Sequence, residues 1–195
     1  MKWLALILAA FLPLLASAAP AEHYTTNLAN LIDPAKLATL GKRGANPRVQ
    51  KAVALLETGR LDGYPVATIA SNAVALARYT NSLLATLTFD SLTRNHSIAA
   101  KLGVLNPAGL ANMRRGKSPT VKSGPYAADL LTVDHIVPFA VAPELDLVIA
   151  NLELMPRRLN SSKGATLGAR QYDYAKRFRA AGVLTASRLE EIMRK

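Results

Sequence analysis

Apolar positions recur at helical spacing through the first two thirds of the chain. Val49, Val53 and Leu56 keep a turn-by-turn interval, and Val66, Ile69, Ala73, Leu76, Thr80, Leu83 and Leu87 trace one face of a longer helix entered at Tyr64-Pro65. Such a stripe marks the side of a helix that faces a core. On this pattern residues 25–115 read as helical. Three starts pair a capping residue with proline at the first helical position: Asp33-Pro34, Asn46-Pro47 and Asn106-Pro107. The cap oxygen takes an orphan backbone N–H, and proline needs no donor there. Gly41 or Gly44, Gly59 and Gly116 read as the matching stops, and a short helix over residues 97–102 closes at Gly103.

Further on the period changes. Pro119, Gly124 and Pro125 make residues 116–129 a loop, in which Tyr126 either packs or stacks on a base or sugar. Leu152-Glu153-Leu154-Met155 alternates as a strand, to be paired with one that carries Asp134-His135. A short helix follows over residues 157–163, with Pro156 at its entry and Gly164 at its end. Two more are expected, over about 165–181 and from Thr185 onward. There is no internal repeat.

The first residues read differently. Lys2, an apolar run over residues 3–15 and Ala16-Ser17-Ala18 form a cleavable export signal over residues 1–18, with the cut after Ala18. An uncleaved membrane anchor fits less well, because 13 residues interrupted by Pro13 are short for a bilayer. A secreted or periplasmic protein of about 177 residues, without a stable membrane anchor, is the expectation. The chain has no cysteine, which excludes disulfides, thiolate metal ligands and cysteine nucleophiles. Lys and Arg number 24 against 13 Asp and Glu, a net charge of +11 that becomes +10 when Lys2 leaves. A balance this basic favours a polyanionic partner.

The chemistry concentrates after residue 130. Thr132-Val133-Asp134-His135-Ile136-Val137-Pro138 is followed by Asn151 sixteen residues after the histidine, Asn160 nine later and Lys163 three beyond that. A neutral histidine can take a proton from water at working pH, so His135 suits a general base. Asp134 and an asparagine oxygen suit a hard metal ion. Asn160 and Lys163, three apart, share one helix face. One difficulty is geometric: successive strand residues point to opposite faces, so Asp134 and His135 reach one site only where the strand ends, twists or bulges. Pro138 fits such a break. His23 and His96 lack a comparable setting, and His96 is expected at a helix start.

This ordered series resembles the active-site hairpin and helix of the HNH (ββα-metal) nucleases, with Asn in the third position. It is similar to the HNH domain of the RNA-guided CRISPR effectors, where V-D-H-I-V-P is also followed by two asparagines and a lysine. The resemblance covers roughly residues 129–170. It implies that Asp134 and Asn160 hold a divalent cation, Mg2+ or else Mn2+, while His135 activates water and Asn151 braces it. Lys163 would contact the phosphate, and the basic Arg157 and Arg158 would lie along the nucleic acid. The products would carry a 5′ phosphate and a 3′ hydroxyl.

The expected architecture is α+β: a helical region over residues 19–128 packed on a C-terminal ββα-metal unit over residues 129–195. The expected activity is endonucleolytic hydrolysis of DNA or RNA. Two other readings compete: a non-catalytic binder of nucleic acid or another polyanion that retains the scaffold, and a basic envelope protein that binds anionic cell-surface polymer.

Overall fold

In the computed structural model residues 18–195 are described, so the expected export signal lies outside the described residues apart from Ala18. Helix α1 (Ala18–Ile32) ends at Asp33, whose Oδ1 accepts the Ala35 backbone N–H at 2.9 Å and so opens the single turn α2 (Pro34–Leu37). Helix α3 (Asn46–Leu61) takes in Asn46 as its first residue, without a side-chain cap. It also runs through Gly59, where a stop was expected, and turns only at Gly63 with φ +92°. A Cβ on Gly59 would meet Ile69 Cδ1 at 2.4 Å, so this glycine serves the close approach of α3 to the next helix.

The long stripe over residues 66–87 divides into α4 (Val66–Leu76) and α5 (Ser82–Lys101). Two long-range contacts hold the break open. Arg78 donates to Asp33 Oδ2 through Nε (2.9 Å) and Nη2 (2.7 Å), and the Tyr79 hydroxyl donates to the Ile32 carbonyl at 2.9 Å. Asn81 then caps α5 through the Leu84 N–H. Residues 97–102, expected as a separate short helix, are the last turns of α5. Asn106 caps α6 (Pro107–Arg114), which Gly116 ends at φ +69°.

An antiparallel pair follows, β1 (Leu131–His135) with β2 (Leu152–Pro156), in which Asp134 faces Glu153 and His135 faces Leu152. Helix α7 (Arg157–Lys163) leaves β2 directly and stops at Gly164, φ +53°. Helices α8 (Ala169–Ala180) and α9 (Ala186–Met193) complete the chain. The architecture is α+β, mostly helical with one small sheet.

One core joins the helices to the hairpin: Leu28, Leu56 and Leu92 pack in the same cluster as Leu131, Leu152 and Leu154. A second, around Phe178, Val137, Leu145 and Ile192, seats α8 and α9 on the loop between the strands. An isolated hairpin is marginal in water. Here α5 supports it with polar side chains as well as packing. Asn95, 1 % exposed, accepts the Leu154 N–H at 2.7 Å and donates to the Leu152 carbonyl at 2.9 Å. Ser91 donates to the Ile149 carbonyl at 2.9 Å. The free edge of β2 is thereby satisfied by a helix side chain. No helix of the described residues is long and apolar enough to cross a membrane.

Candidate active site

Strand alternation puts Thr132 and Asp134 on the same face of β1, and α7 packs on that strand with Asn160 and Lys163 toward it. Asn160 Nδ2 donates to Thr132 Oγ1 at 3.3 Å. The Lys163 ammonium donates to Asp134 Oδ2 at 2.5 Å and to the His135 carbonyl at 2.6 Å. Among the described residues, neither Asp134 Oδ1 nor Asn160 Oδ1 accepts a hydrogen bond.

His135 is the last residue of β1, so a cleft across the strand's end can be lined by both neighbours. That cleft, of about 230 Å³, is bounded by Asp134, His135, Asn160, Phe139 and Arg43. The expected conflict between adjacent strand residues is met by termination of the strand.

The loop after His135 is fixed by Asn151. Its Oδ1 accepts the Val137 N–H at 2.8 Å, its Nδ2 donates to the Val137 carbonyl at 3.0 Å, and the side chain is fully buried. Asn151 therefore braces the backbone beside the histidine and does not touch the ring. The ring's partner is Asp146, which the sequence reading did not single out. His135 Nε2 lies 3.0 Å from Asp146 Oδ1, and both side chains are buried. A carboxylate can only accept, so Nε2 carries a proton, and in the neutral ring Nδ1 then keeps its lone pair. The second Asp146 oxygen accepts the Arg43 backbone N–H at 2.7 Å. Asp146 follows Glu144 in an acidic stretch of the loop, and nothing in the spacing sets one apart from the other.

Arg43 was also not anticipated. It enters the cleft from the segment between α2 and α3, with a left-handed φ of 60°. Such a conformation costs about 1 kcal/mol or more for a residue with a Cβ, and the Asp146 hydrogen bond helps hold it. Beside it, Lys42 Nζ stands 4.4 Å from the centre of the Phe139 ring.

Arg157 and Arg158 are exposed on the first turn of α7, and neither lines the cleft. The Arg158 N–H donates to Asp129 Oδ2 at 2.7 Å, and its guanidinium lies 5.6 Å from the Tyr126 ring centre. That backbone hydrogen bond, together with one from Leu130 and the nearby arginine charges, outweighs burial and holds the Asp129 carboxyl below its ordinary value. Tyr126 thus packs against an arginine.

Opposite Asp134 in the sheet, Glu153 accepts from Arg170 Nη1 at 2.8 Å and forms an ion pair with Arg94, whose Nε lies 3.0 Å away without a hydrogen bond. Burial pushes the Glu153 carboxyl up. The hydrogen bond and charge of Arg170, with the charges of Arg94 and Lys163, more than reverse this and leave it below the usual carboxylate range. His96 sits inside α5, not at a helix start, with Nε2 2.8 Å from Glu57 Oε2. His23 lies on α1 beside Asn27.

Among the described residues no three His, Cys, Asp or Glu side chains gather as a metal-binding group. The donors in the cleft are instead one carboxylate oxygen and one amide oxygen, both unengaged. An oxygen-only pair completed by water fits a hydrated hard cation such as Mg2+ and suits zinc poorly. Comparisons with protein-family models, curated proteins and solved structures return no match.

Proposed function

We propose that the chain is an exported, metal-dependent endonuclease whose hairpin and α7 form a ββα-metal (HNH) unit. The observation that carries this reading is the cleft at the end of β1, where a buried histidine oriented by a carboxylate meets two unengaged oxygen donors. His135 Nδ1 accepts the proton of the attacking water, and Asp146 holds the ring in the tautomer that allows this and steadies the imidazolium that results. Asn151 fixes the backbone that aims the ring. Asp134 Oδ1 and Asn160 Oδ1 would hold the cation, which supplies charge stabilisation to the phosphate and the departing oxygen. Nucleic acid, DNA or RNA, is the substrate that the charge of +10 left once Lys2 is removed favours.

The test is incubation of the purified mature protein with plasmid and with RNA, with Mg2+ or Mn2+ and with chelator. Cleavage is expected only with metal. His135→Ala should abolish it, with circular dichroism to check folding because the ring is buried on Asp146. Cleavage that survives excess chelator or the His135→Ala change overturns the mechanism. Intact-mass measurement of protein recovered outside the inner membrane should place the mature N-terminus at Ala19.

One observation favours a second reading. The Lys163 ammonium already neutralises Asp134, as it would in a non-catalytic nucleic-acid binder that retains the scaffold. That protein would bind polyanions in a salt-dependent way and turn over nothing with any metal.

A further inference from the structure

A cleft larger than the one at the strand end lies away from it, among α1, α2, α3 and α6. It has a volume of about 690 Å³ and is lined by Lys36, Arg48, Lys51 and Arg114, with Asn27 and His23 at its wall. These cations come from three elements, α2, α3 and α6, and line one groove. No aspartate or glutamate lines it. Carboxylates that touch lining residues include Asp62, which accepts from the hydroxyl of Tyr24, and Asp33, which accepts from the backbone N–H of Lys36.

The polar partners of these cations are neutral. Lys36 Nζ donates to Asn30 Oδ1 at 2.5 Å, Arg48 Nη1 to the carbonyls of Asn30 and Leu31 at 3.0 and 3.2 Å, and Arg114 Nη2 to Thr58 Oγ1 at 2.9 Å. The ion pairs of the described residues lie elsewhere, and none uses any of the four. Other basic side chains, such as Lys101 and Lys117, also take part in no ion pair among the described residues; these four differ in lining one groove that no carboxylate lines. Cations held together without a counter-charge repel one another, and an anion in the groove relieves that cost.

The groove is tied to the strand-end cleft by chain length. Seven residues lead from Lys36 to Arg43, and an extended chain of that length spans at most about 25 Å. Lys42 stands on the same segment.

We propose that this groove holds the phosphodiester backbone of the nucleic-acid strand outside the cleavage cleft. The proposal rests on the nuclease reading for the identity of the strand, but its test does not require cleavage. A fluorescein-labelled mixed-sequence single strand of twenty nucleotides is titrated into the full-length mature His135→Ala protein across a range of salt. Combining Lys36→Ala with Lys51→Ala should weaken binding about tenfold at low salt. It should also make the slope of log K against log salt shallower by about one to two units, since each contact on a single strand contributes about 0.7. The same charge change at Lys101→Ala with Lys195→Ala, outside the groove, should leave the slope alone. In parallel, the bound strand should shield Lys36 and Lys51, and not Lys101, from an acetylating reagent read by mass spectrometry.

Equal effects from the two pairs of changes, or no shielding, overturn the proposal. Equal displacement of the strand by inorganic polyphosphate at matched phosphate concentration overturns the assignment to nucleic acid. A protein that cleaves nothing yet passes these tests loses the nuclease reading and keeps the groove. A nuclease with unshielded lysines does the reverse.

Discussion

Asp134 has two oxygens with different fates. One accepts the Lys163 ammonium, and the other accepts no hydrogen bond among the described residues, on a side chain that lines the cleft. The lysine therefore both supplies the charge that lets a carboxylate sit in a partly enclosed place and competes with any cation that would share it. Removing the ammonium should strengthen cation binding. Lys163→Ala is expected to tighten Mn2+ about tenfold, equivalent to ~1.4 kcal/mol, in a calorimetric titration of metal-free protein without substrate. Weaker Mn2+ binding in the variant would mean that the lysine positions Asp134 and does not compete, and an absence of binding in both proteins would favour the non-catalytic reading. His135 differs in that its partner, Asp146, is itself anchored to a backbone N–H of the helical region. A single carboxylate thus sets the ring's tautomer and the place of Arg43.

At the scale of elements, α5 decides whether the hairpin exists. Asn95 satisfies a donor and an acceptor on β2; without it the Leu154 N–H is buried unpaired and the Leu152 carbonyl keeps only the Ser91 hydroxyl. Asn95→Ala should cost about 2–4 kcal/mol by urea unfolding and speed hydrogen exchange at Leu154 before other strand amides. Unchanged exchange there would show that packing alone holds the strand. These same side chains explain what the sequence concealed. A separate helix was expected over residues 97–102, with His96 at its start, whereas α5 runs through to Lys101. Ser91 and Asn95 are polar because they face a strand edge, and His96 because it pairs with Glu57. The opposite error lies at residues 77–81, where apolar positions stay in helical phase across a break made by contacts to α1 and α2. Periodicity registers which residues face the core and is blind to a gap that keeps phase. The elements around the motif were legible because their punctuation is local: Pro156, Gly164 and Thr185 act within a turn of themselves. Asp146 and Arg43 reach the site through tertiary contacts, 11 and 103 residues distant from their partners, and no local rule marks them.

For the whole molecule, several carboxyls are held below their ordinary values. In Glu57 the cause is first its hydrogen bond from Arg60, with His96 adding to it against burial. In Asp33 it is the hydrogen bond from Arg78. In Glu153 the arginines overcome burial. A carboxyl depressed in the folded state contributes stability that is fully present above its unfolded value, 4.5 for the glutamates. That contribution is lost as pH falls through the lower folded value. Thermal unfolding should therefore hold steady from neutral pH to about 5 and decline below about 4.5. Glu153→Gln should be less stable than the parent at neutral pH, because Arg94 and Arg170 lose their counter-charge, and the gap should narrow as acid titrates the parent. A gap that stays constant to pH 3 would assign the stability of this cluster to something other than charge.

The dependence of β2 on Asn95 also bears on the order in which the chain becomes structured. The helix that closes the strand's edge precedes the strand by about fifty residues, so a chain that emerges from its N-terminal end has the receptor for the edge before the edge is made. The strand then never waits unpaired beside other emerging chains, where an open edge invites pairing with a neighbour. A circular permutant that began at residue 129 would reverse this sequence of events. It would have the same contacts available in its finished form but would expose the edge first, and its yield of soluble protein would measure how much the natural order matters.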